Sequence, residues 1–335
     1  MGKILKKHIG TAVFIICVAI FIMVIPANTT AYSITVMNAA IMYYIAALGL
    51  SLMQGMGGLM SFAVVSFMGV GAFTTAQLSK NFGVPTVVSV MAGVVMAAIT
   101  SLGLGMILLR LRGSFFVFGT IALSQIINNI FLNYKPLTGG PDGTSAIPKL
   151  DLGPLSPHNL FDWFYILMAV SIVVGIIVEN IRRTHLGRAL ASVRDNEIAA
   201  MSLGVNVFFT KLMAFTIAGA LAGLSGALLA HHNSFISYSL FSPLLSINYL
   251  MMIMLGGVNS TVGTFVGALL VTMLPEWLRP MKQYLMLING FGVILLMIFM
   301  PMGLAGLFSS VVARLKKIFV KEAISDDGSD AVTAE

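Results

Sequence analysis

Charged side chains are almost absent from the first third of the chain. Between Ile9 and Leu109 the only charged residue is Lys80. Over all 335 residues, 9% are charged and 58% are hydrophobic, whereas soluble domains average about 25% charged and about 45–50% apolar residues. A water-soluble globule cannot cover its surface with so few charges. The sequence therefore excludes a soluble enzyme and predicts an all-α polytopic membrane protein.

The apolar runs can be counted as membrane-spanning helices, because about 20 apolar residues cross a hydrocarbon core of roughly 30 Å. The run 242–275 is too long for one helix, and the small residues from Gly256 to Ser260 interrupt it, so we divide it in two. About ten spans result, within a range of 8–10. They are 9–26, 34–53, 59–79, 85–109, 114–132, 161–181, 211–232, 242–256, 259–275 and 283–306.

The distribution of basic residues predicts the orientation in the membrane. With ten spans and a cytoplasmic N-terminus, 14 of the 19 basic residues lie inside, and the C-terminus is also cytoplasmic. The fourteen are Lys3, Lys6, Lys7, Arg110, Arg112, Arg182, Arg183, Arg188, Arg194, Lys211, Arg314, Lys316, Lys317 and Lys321. Nine spans would leave only 12 inside. The formal net charge of +7 therefore indicates orientation and requires no nucleic acid.

The connecting segments divide the chain into two regions. Residues 1–310 form the predicted transmembrane domain, whose first helix resembles a signal peptide but is expected to stay uncleaved. Its two long loops are an external loop, 133–160, and a cytoplasmic loop, 182–210. Residues 311–335 are first basic and then acidic, and we expect a disordered cytoplasmic tail.

Motifs for enzymatic or metal chemistry are not found in the sequence. The only cysteine is Cys17, none of the five histidines belongs to an HExxH motif, and no phosphate-binding loop is present. His231 and His232 have no acidic neighbour, so a membrane-embedded enzyme is a weak alternative to an interfacial pair. We expect no metal and no cofactor in this chain.

Polar and glycine-rich breaks in the spans suggest discontinuous helices. Gln54, Gly57 and Gly58 lie between the second and third spans, and Gln125 and Asn128 lie within the fifth. Polar groups at membrane depth are costly unless they are buried in protein or line a wet cavity. These five residues are therefore candidates for a translocation pathway, and hydrogen bonding across helices remains the alternative.

Two other glycine pairs favour close helix packing over a pathway. Gly219 and Gly223 are four residues apart, as are Gly263 and Gly267. This small-xxx-small spacing lets two helix backbones approach closely in a membrane.

Acidic residues in the predicted spans lie near the membrane interfaces. Asp162, Glu179 and Glu276 are all close to span ends. Ion-coupled carriers usually need ionisable groups at the midplane. We therefore expect the energy for transport to come from a partner, with an ion-coupled secondary carrier as the less favoured alternative.

The cytoplasmic loop contains a predicted amphipathic helix from about 188 to 203. It ends at Gly204, which suits a left-handed C-terminal cap. Small residues would let this helix lie against a partner, and the flanking charges would pair with it; a solvated connector is the alternative. The candidate coupling residues are Arg188, Arg194, Asp195, Glu197, Ala199, Ala200 and Gly204.

Three segments resemble the permease subunits of bacterial ABC importers for branched-chain amino acids, in particular the LivM type. They are residues 46–74, 112–148 with its TGGPDG turn, and 187–230, which begins GRALASVRDNEIAA. A weaker resemblance covers 242–278, and together the segments cover over half of the chain. Gln125 stands where many relatives carry an acid, and Ala63–Val65 also departs from the family pattern. The exact ligand therefore stays open.

The resemblance implies a multi-subunit importer in the bacterial inner membrane. Glu197 to Ala200, with Gly204, would dock into a cytoplasmic ATPase. The implied partners are a second permease, usually LivH-type, two ATPases that hold ATP and Mg, and an external or periplasmic binding protein. Related permeases serve urea or short amides, which remain alternative ligands.

The TGGPDG turn of the external loop has two interpretations. Thr138, Gly139, Gly140, Asp142 and Gly143 are candidates for docking or gating on the outer side. The same residues also form a favourable turn sequence without any further role.

Overall fold

The computed structural model describes residues 31–111, 113–151, 153, 156–157 and 159–277. These residues are almost entirely helical. The ten helices that we label are α1 (Ala31–Ser51), α2 (Val64–Asn81), α3 (Thr86–Leu108), α4 (Ser114–Asn133), α5 (Leu160–Arg183), α6 (His185–Asp195), α7 (Glu197–Ser202), α8 (Val207–Asn233), α9 (Leu245–Gly256) and α10 (Thr261–Trp277). A π-helical turn (Leu52–Met56), a single α-turn (Lys135–Thr138), two 3-10 turns (Gly140–Asp142 and Tyr238–Phe241) and strands β1 (Thr144–Ser145) and β2 (Phe235–Ile236) complete the described elements.

The eight predicted spans from 34–53 to 259–275 each correspond to a helix, so the all-α polytopic prediction is confirmed. Among the residues that the structure describes, five helical segments are long and apolar enough to cross a membrane: α1 with its π-helical turn, α3, α4, α5 and α8. Helices α9 and α10 are shorter apolar helices. The predicted first span, last span and C-terminal tail lie outside the described residues.

Helices α1 and α8 form the centre of the bundle. Helix α8 packs along α1, α2 and α3, and α1 also contacts α5, α9 and α10. In α1 together with the π-helical turn, 83% of the most apolar stretch is buried within the protein, compared with 28% in α3. Helix α3 therefore presents most of its apolar surface outward, as expected for a lipid-facing helix.

Close packing at the predicted glycine pairs is confirmed. A methyl group on Gly219 would collide with Ser101 of α3, and one on Gly223 would collide with Ala97 of the same helix. A methyl group on Gly267 would collide with the carbonyl oxygen of Met252 in α9. Small residues at these crossings let the backbones approach.

The run 242–275 is divided as predicted, and the break lies at Gly257. Helix α9 ends at Gly256, and Gly257 has a φ of +104°, a conformation that favours glycine. The chain turns through this residue and re-enters a helix at Thr261.

Helix α2 begins later than predicted, at Val64 instead of residue 59. The preceding residues are not helical because other elements hold their backbone in place. The Phe62 amide donates to Thr120 Oγ1 of α4 at 3.1 Å, and the Phe62 carbonyl accepts from Ser246 Oγ of α9 at 2.6 Å. Backbone groups that leave the helix at this depth are thus satisfied by neighbouring side chains.

Candidate coupling site and translocation route

The predicted coupling helix is two helices, so the prediction of one helix from 188 to 203 is wrong. Helix α6 ends at Asp195, and Asn196 adopts an extended conformation with φ −160° and ψ 109°. The Asn196 side chain then accepts hydrogen bonds from the Ile198 and Ala199 amides, both at 3.0 Å. Asn196 is therefore the N-cap of α7, and its capping conformation interrupts the helical path.

The predicted left-handed cap at Gly204 is confirmed. Gly204 has a φ of +83°. Its amide donates to the Met201 carbonyl, and the Val205 amide donates to the Ala200 carbonyl, both at 3.0 Å. This is the hydrogen-bond pattern of a Schellman motif, and it redirects the chain from α7 towards α8.

The unit of α6 and α7, which we call the coupling unit (185–202), has one face against the bundle and one face outward. Leu190, Val193 and Ala200 are buried within the chain, at 0–1% exposure. Ile198 and Met201 are 75% and 55% exposed, and Leu203, which follows directly, is 83% exposed. Ala199 and Gly204 are also exposed. The outward face of the coupling unit is therefore partly apolar, although the unit lies in a polar loop.

The charged residues of the coupling unit bond mainly within the chain. Glu197 forms an ion pair with Lys211 at the start of α8. The Arg188 guanidinium donates to the Arg183 carbonyl at 2.9 Å, and Asp195 pairs with Arg194 at 3.3 Å. The bonds to Lys211 and to the Arg183 carbonyl connect the unit to α8 and α5, whereas the Asp195–Arg194 pair lies within α6.

Arg194 also reaches the break between α1 and α2. Its Nη1 donates to the Gly55 carbonyl at 2.6 Å. A methyl group on Gly58, where φ is +65°, would lie 2.9 Å from Arg194 Cγ, and one on Gly57 would lie 3.3 Å from Leu190 Cδ2. Gly57 and Gly58 therefore lie directly beneath α6. Gln54 lies in the π-helical turn that precedes these two glycines, and it is partly buried.

The two interrupted regions of the bundle meet at this end. Ser51 Oγ donates to the Val258 carbonyl at 2.6 Å. A methyl group on Gly55 would lie 2.6 Å from the same carbonyl and would collide with Asn259. The π-helical turn after α1 and the turn between α9 and α10 are thus in direct backbone contact.

A buried arginine joins both regions to α5. Arg182 Nη1 donates to the Asn259 carbonyl at 2.8 Å and to Thr261 Oγ1 at 3.0 Å, and Nη2 donates to Ser51 Oγ at 2.7 Å. Glu179, one turn earlier, lies 3.7 Å away and provides the counter-charge. Sequence reasoning assigned Arg182 only to the basic cytoplasmic loop. Its spacing of three residues from Glu179 is the signal that could have indicated a pair.

The candidate residues of α4 lie apart from this cluster. Asn128 is buried and its amide donates to the Tyr238 and Phe241 carbonyls, both at 3.0 Å, at the opposite end of α8. Gln125 is exposed on the outer face of α4. The five predicted pathway residues therefore occupy two places: Gln54, Gly57 and Gly58 at the coupling unit, and Gln125 and Asn128 on α4.

The TGGPDG turn is held by its own hydrogen bonds at the opposite end. Thr138 Oγ1 donates to the Phe131 carbonyl at 2.6 Å, and Thr144 Oγ1 donates to the Thr138 carbonyl at 3.0 Å. Gly139, Gly140 and Gly143 all have positive φ, and Asp142 is exposed. Strand β1 then pairs antiparallel with β2, which ties the turn to the chain that follows α8.

His231 and His232 are used in contacts at this same end. His231 Nδ1 lies 2.7 Å from the Pro148 carbonyl. His232 Nε2 lies 3.3 Å from Asn38 Nδ2, and its ring packs edge-on against Trp163. Within the part of the chain that the structure describes, no group of three or more histidine, cysteine or acidic residues could hold a metal ion.

Comparison with known proteins assigns the family of this interrupted helical bundle. The family model described as "Branched-chain amino acid transport system / permease component" matches residues 32–302. The chain belongs to this family, the permeases of branched-chain amino acid ABC transporters.

Characterised relatives are similar over most of the chain. It is 30% identical to the high-affinity branched-chain amino acid transport system permease protein LivM of Escherichia coli, and 31% identical to that of Salmonella typhimurium; each alignment covers 87% of this chain and 74% of the relative. A probable LivH permease of Methanocaldococcus jannaschii is 24% identical over 70% of this chain and 78% of its own length. No solved structure matches the chain.

Proposed function

We propose that this chain is a LivM-type permease subunit that carries branched-chain aliphatic amino acids inward across the bacterial inner membrane. The similarity to the LivM relatives supports the substrate class. The observation that carries the coupling role is the outward face of the coupling unit. Ile198, Met201 and Leu203 are exposed on a short, hydrogen-bonded unit that polar residues surround, and such an apolar patch is typical of a protein interaction site.

The energy for transport comes, on this proposal, from two separate ATPase subunits that bind ATP and Mg. In the described spans, Asp162 lies in the first turn of α5, where it forms a capping box with Asn159, Glu179 lies about one turn before the end of α5, and Glu276 lies at the end of α10. Acidic groups at helix ends do not form the midplane site that an ion-coupled carrier usually needs. An ATPase that docks on the coupling unit would supply the driving force instead.

The orientation of the chain in the membrane follows from the docking of the ATPase subunits. Docking of ATPases places the loop 182–210 in the cytoplasm and the loop 133–160 outside, with both termini in the cytoplasm. Residues 1–310 are the permease domain and 311–335 the cytoplasmic tail. The remaining partners are a second permease of the LivH type, membrane lipid, and an external binding protein that contacts the self-bonded TGGPDG turn.

The docking surface can be tested by adding a charge to its apolar face. We expect Ile198→Glu to reduce co-purification of the ATPase subunits about tenfold or more, since desolvating a carboxylate in an interface is costly. Phe82→Glu is the matched control, because Phe82 is 74% exposed but lies at the opposite end of α2. Normal ATPase recovery with Ile198→Glu would contradict the proposed docking surface.

A further inference from the structure

Arg194 belongs to the coupling unit, and although its side chain is 41% exposed, one of its donors reaches into the bundle. Its Nη1 bonds to the Gly55 carbonyl at 2.6 Å, and its stem covers Gly58. Only Nη2 is directed to a neighbour on the same unit, Asp195. Arg194 is therefore bonded as a connection between α6 and the break after α1.

The Gly55 carbonyl belongs to a backbone segment that is held against the turn between α9 and α10. Gly55 is in contact with Val258 and Asn259, and Ser51 bonds to the Val258 carbonyl. Arg182 then bonds to both sides of this contact, at Ser51 Oγ and at the Asn259 carbonyl. Charge-assisted hydrogen bonds of this kind are stronger and shorter than neutral ones. The two breaks consequently form one bonded unit.

We infer that Arg194 is the positioning residue that transmits displacement of α6 to both helix breaks at once. When an ATPase shifts the coupling unit, the Arg194–Gly55 bond moves the π-helical turn, and the contact with Val258 and Asn259 moves the turn between α9 and α10 with it. Arg182 keeps the two turns together during this movement. This inference rests on the proposed function, because it requires an ATPase on the coupling unit.

Non-helical turns are suitable points for such a movement. The residues from Gly58 to Ala63 and the turn at Gly257 are where the bundle leaves regular helix, and backbone dihedrals there change without breaking a continuous helical ladder. Displacement of the Gly55 backbone therefore changes the positions of the helix ends that adjoin the two breaks, in α1, α2, α9 and α10. The central part of each helix stays packed. The helix interruptions at this end were predicted to line a translocation pathway. On this inference they are the part of that pathway that moves.

The first test separates transmission from docking. In proteoliposomes that hold the complete importer, we expect Arg194→Ala to keep its ATPase subunits and its ATP hydrolysis, while amino-acid uptake per ATP falls about tenfold, a typical coupling effect. Arg194→Lys keeps one donor for the Gly55 carbonyl and should recover part of the uptake. Arg110→Ala is the control, because Arg110 is an exposed arginine that lies outside the coupling unit and the two helix breaks.

The second test perturbs the other end of the same connection. Gly55→Ala pushes the π-helical turn away from Val258 and Asn259, so we expect the same loss of uptake per ATP with ATPases retained. Gly103→Ala is the matched control, since a methyl group on Gly103 would meet open space.

Three results would be decisive against this inference. Loss of ATPase binding in Arg194→Ala would make Arg194 a docking residue, and unchanged uptake per ATP in Arg194→Ala or in Gly55→Ala would remove the transmission role. Failure of the proposed function is a different result: the unsubstituted complex would then show no ATP-dependent uptake at all.

Discussion

At the scale of single residues, charged side chains at and near the coupling unit have bonding partners within the chain. Glu197 pairs with Lys211, Arg194 bonds to the Gly55 carbonyl, and Arg182 is buried among backbone and hydroxyl acceptors. Removing one partner of a buried hydrogen-bonded charge leaves the other groups unsatisfied. In the part of the chain that the structure describes, these charges thus connect the coupling unit and α5 to neighbouring helices and turns.

The ion pair of Glu197 and Lys211 provides a prediction at this scale. Glu197→Lys places two ammonium groups against each other, so the start of α7 is displaced from α8. We expect amino-acid uptake by the reconstituted importer to fall about tenfold, within the range of coupling effects. The double change Glu197→Lys with Lys211→Glu restores the pair with its charges exchanged, and we expect it to recover most of the uptake.

The double change also distinguishes two roles for Glu197. If uptake stays low in the exchanged pair, Glu197 contacts the ATPase directly and the pair within the chain is incidental. If Glu197→Lys alone transports at the normal rate with its ATPases bound, Glu197 has no coupling role.

At the scale of helices, the length of apolar runs was sufficient to predict eight spans. A run of about 20 apolar residues has few alternatives to a helix in a membrane, and the glycines at Gly256 and Gly257 indicated the division of 242–275. The start of α2 was missed because residues 59–63 are apolar enough to continue a span. Their departure from the helix depends on Thr120 and Ser246, which are distant in sequence.

The coupling unit shows what local patterns cannot predict. The amphipathic pattern around 188–203 predicted one helix, and Gly204 correctly predicted its end. The break at Asn196 was missed because asparagine is tolerated within a polar helix as well as at an N-cap. The hydrogen bonds of Arg182 and Arg194 could not be predicted from the sequence either, because their partners Asn259 and Gly55 lie 77 and 139 residues away along the chain.

The N-cap of α7 can be tested directly. Asn196→Ala removes the acceptor for two amides, and loss of an N-cap costs about 1 kcal/mol. We expect hydrogen exchange at the Ile198 and Ala199 amides to become about fivefold faster, because local opening becomes easier. Asn196→Asp keeps an acceptor next to the positive end of the helix and should exchange at the original rate. Equal exchange in the alanine and original proteins would contradict the cap.

At the scale of the whole molecule, the helices divide into a buried centre and an outer layer. Helices α1 and α8 are enclosed, and the breaks adjoining α1 and between α9 and α10 meet beneath the coupling unit. The opposite end is held by β1 and β2 and by the self-bonded TGGPDG turn. One end of the bundle thus has a connection suited to movement, and the other is fixed by local hydrogen bonds.

The proposed function predicts that transport needs partners on both sides of the membrane. The most direct measurement is uptake of radiolabelled leucine into proteoliposomes that contain this chain with a LivH-type permease, both ATPases and the binding protein. We predict leucine accumulation that requires ATP inside the cytoplasmic compartment and the binding protein outside, and no accumulation by this chain alone under a proton or sodium gradient. Accumulation by the chain alone under such a gradient, without ATP, would contradict an ATP-driven permease.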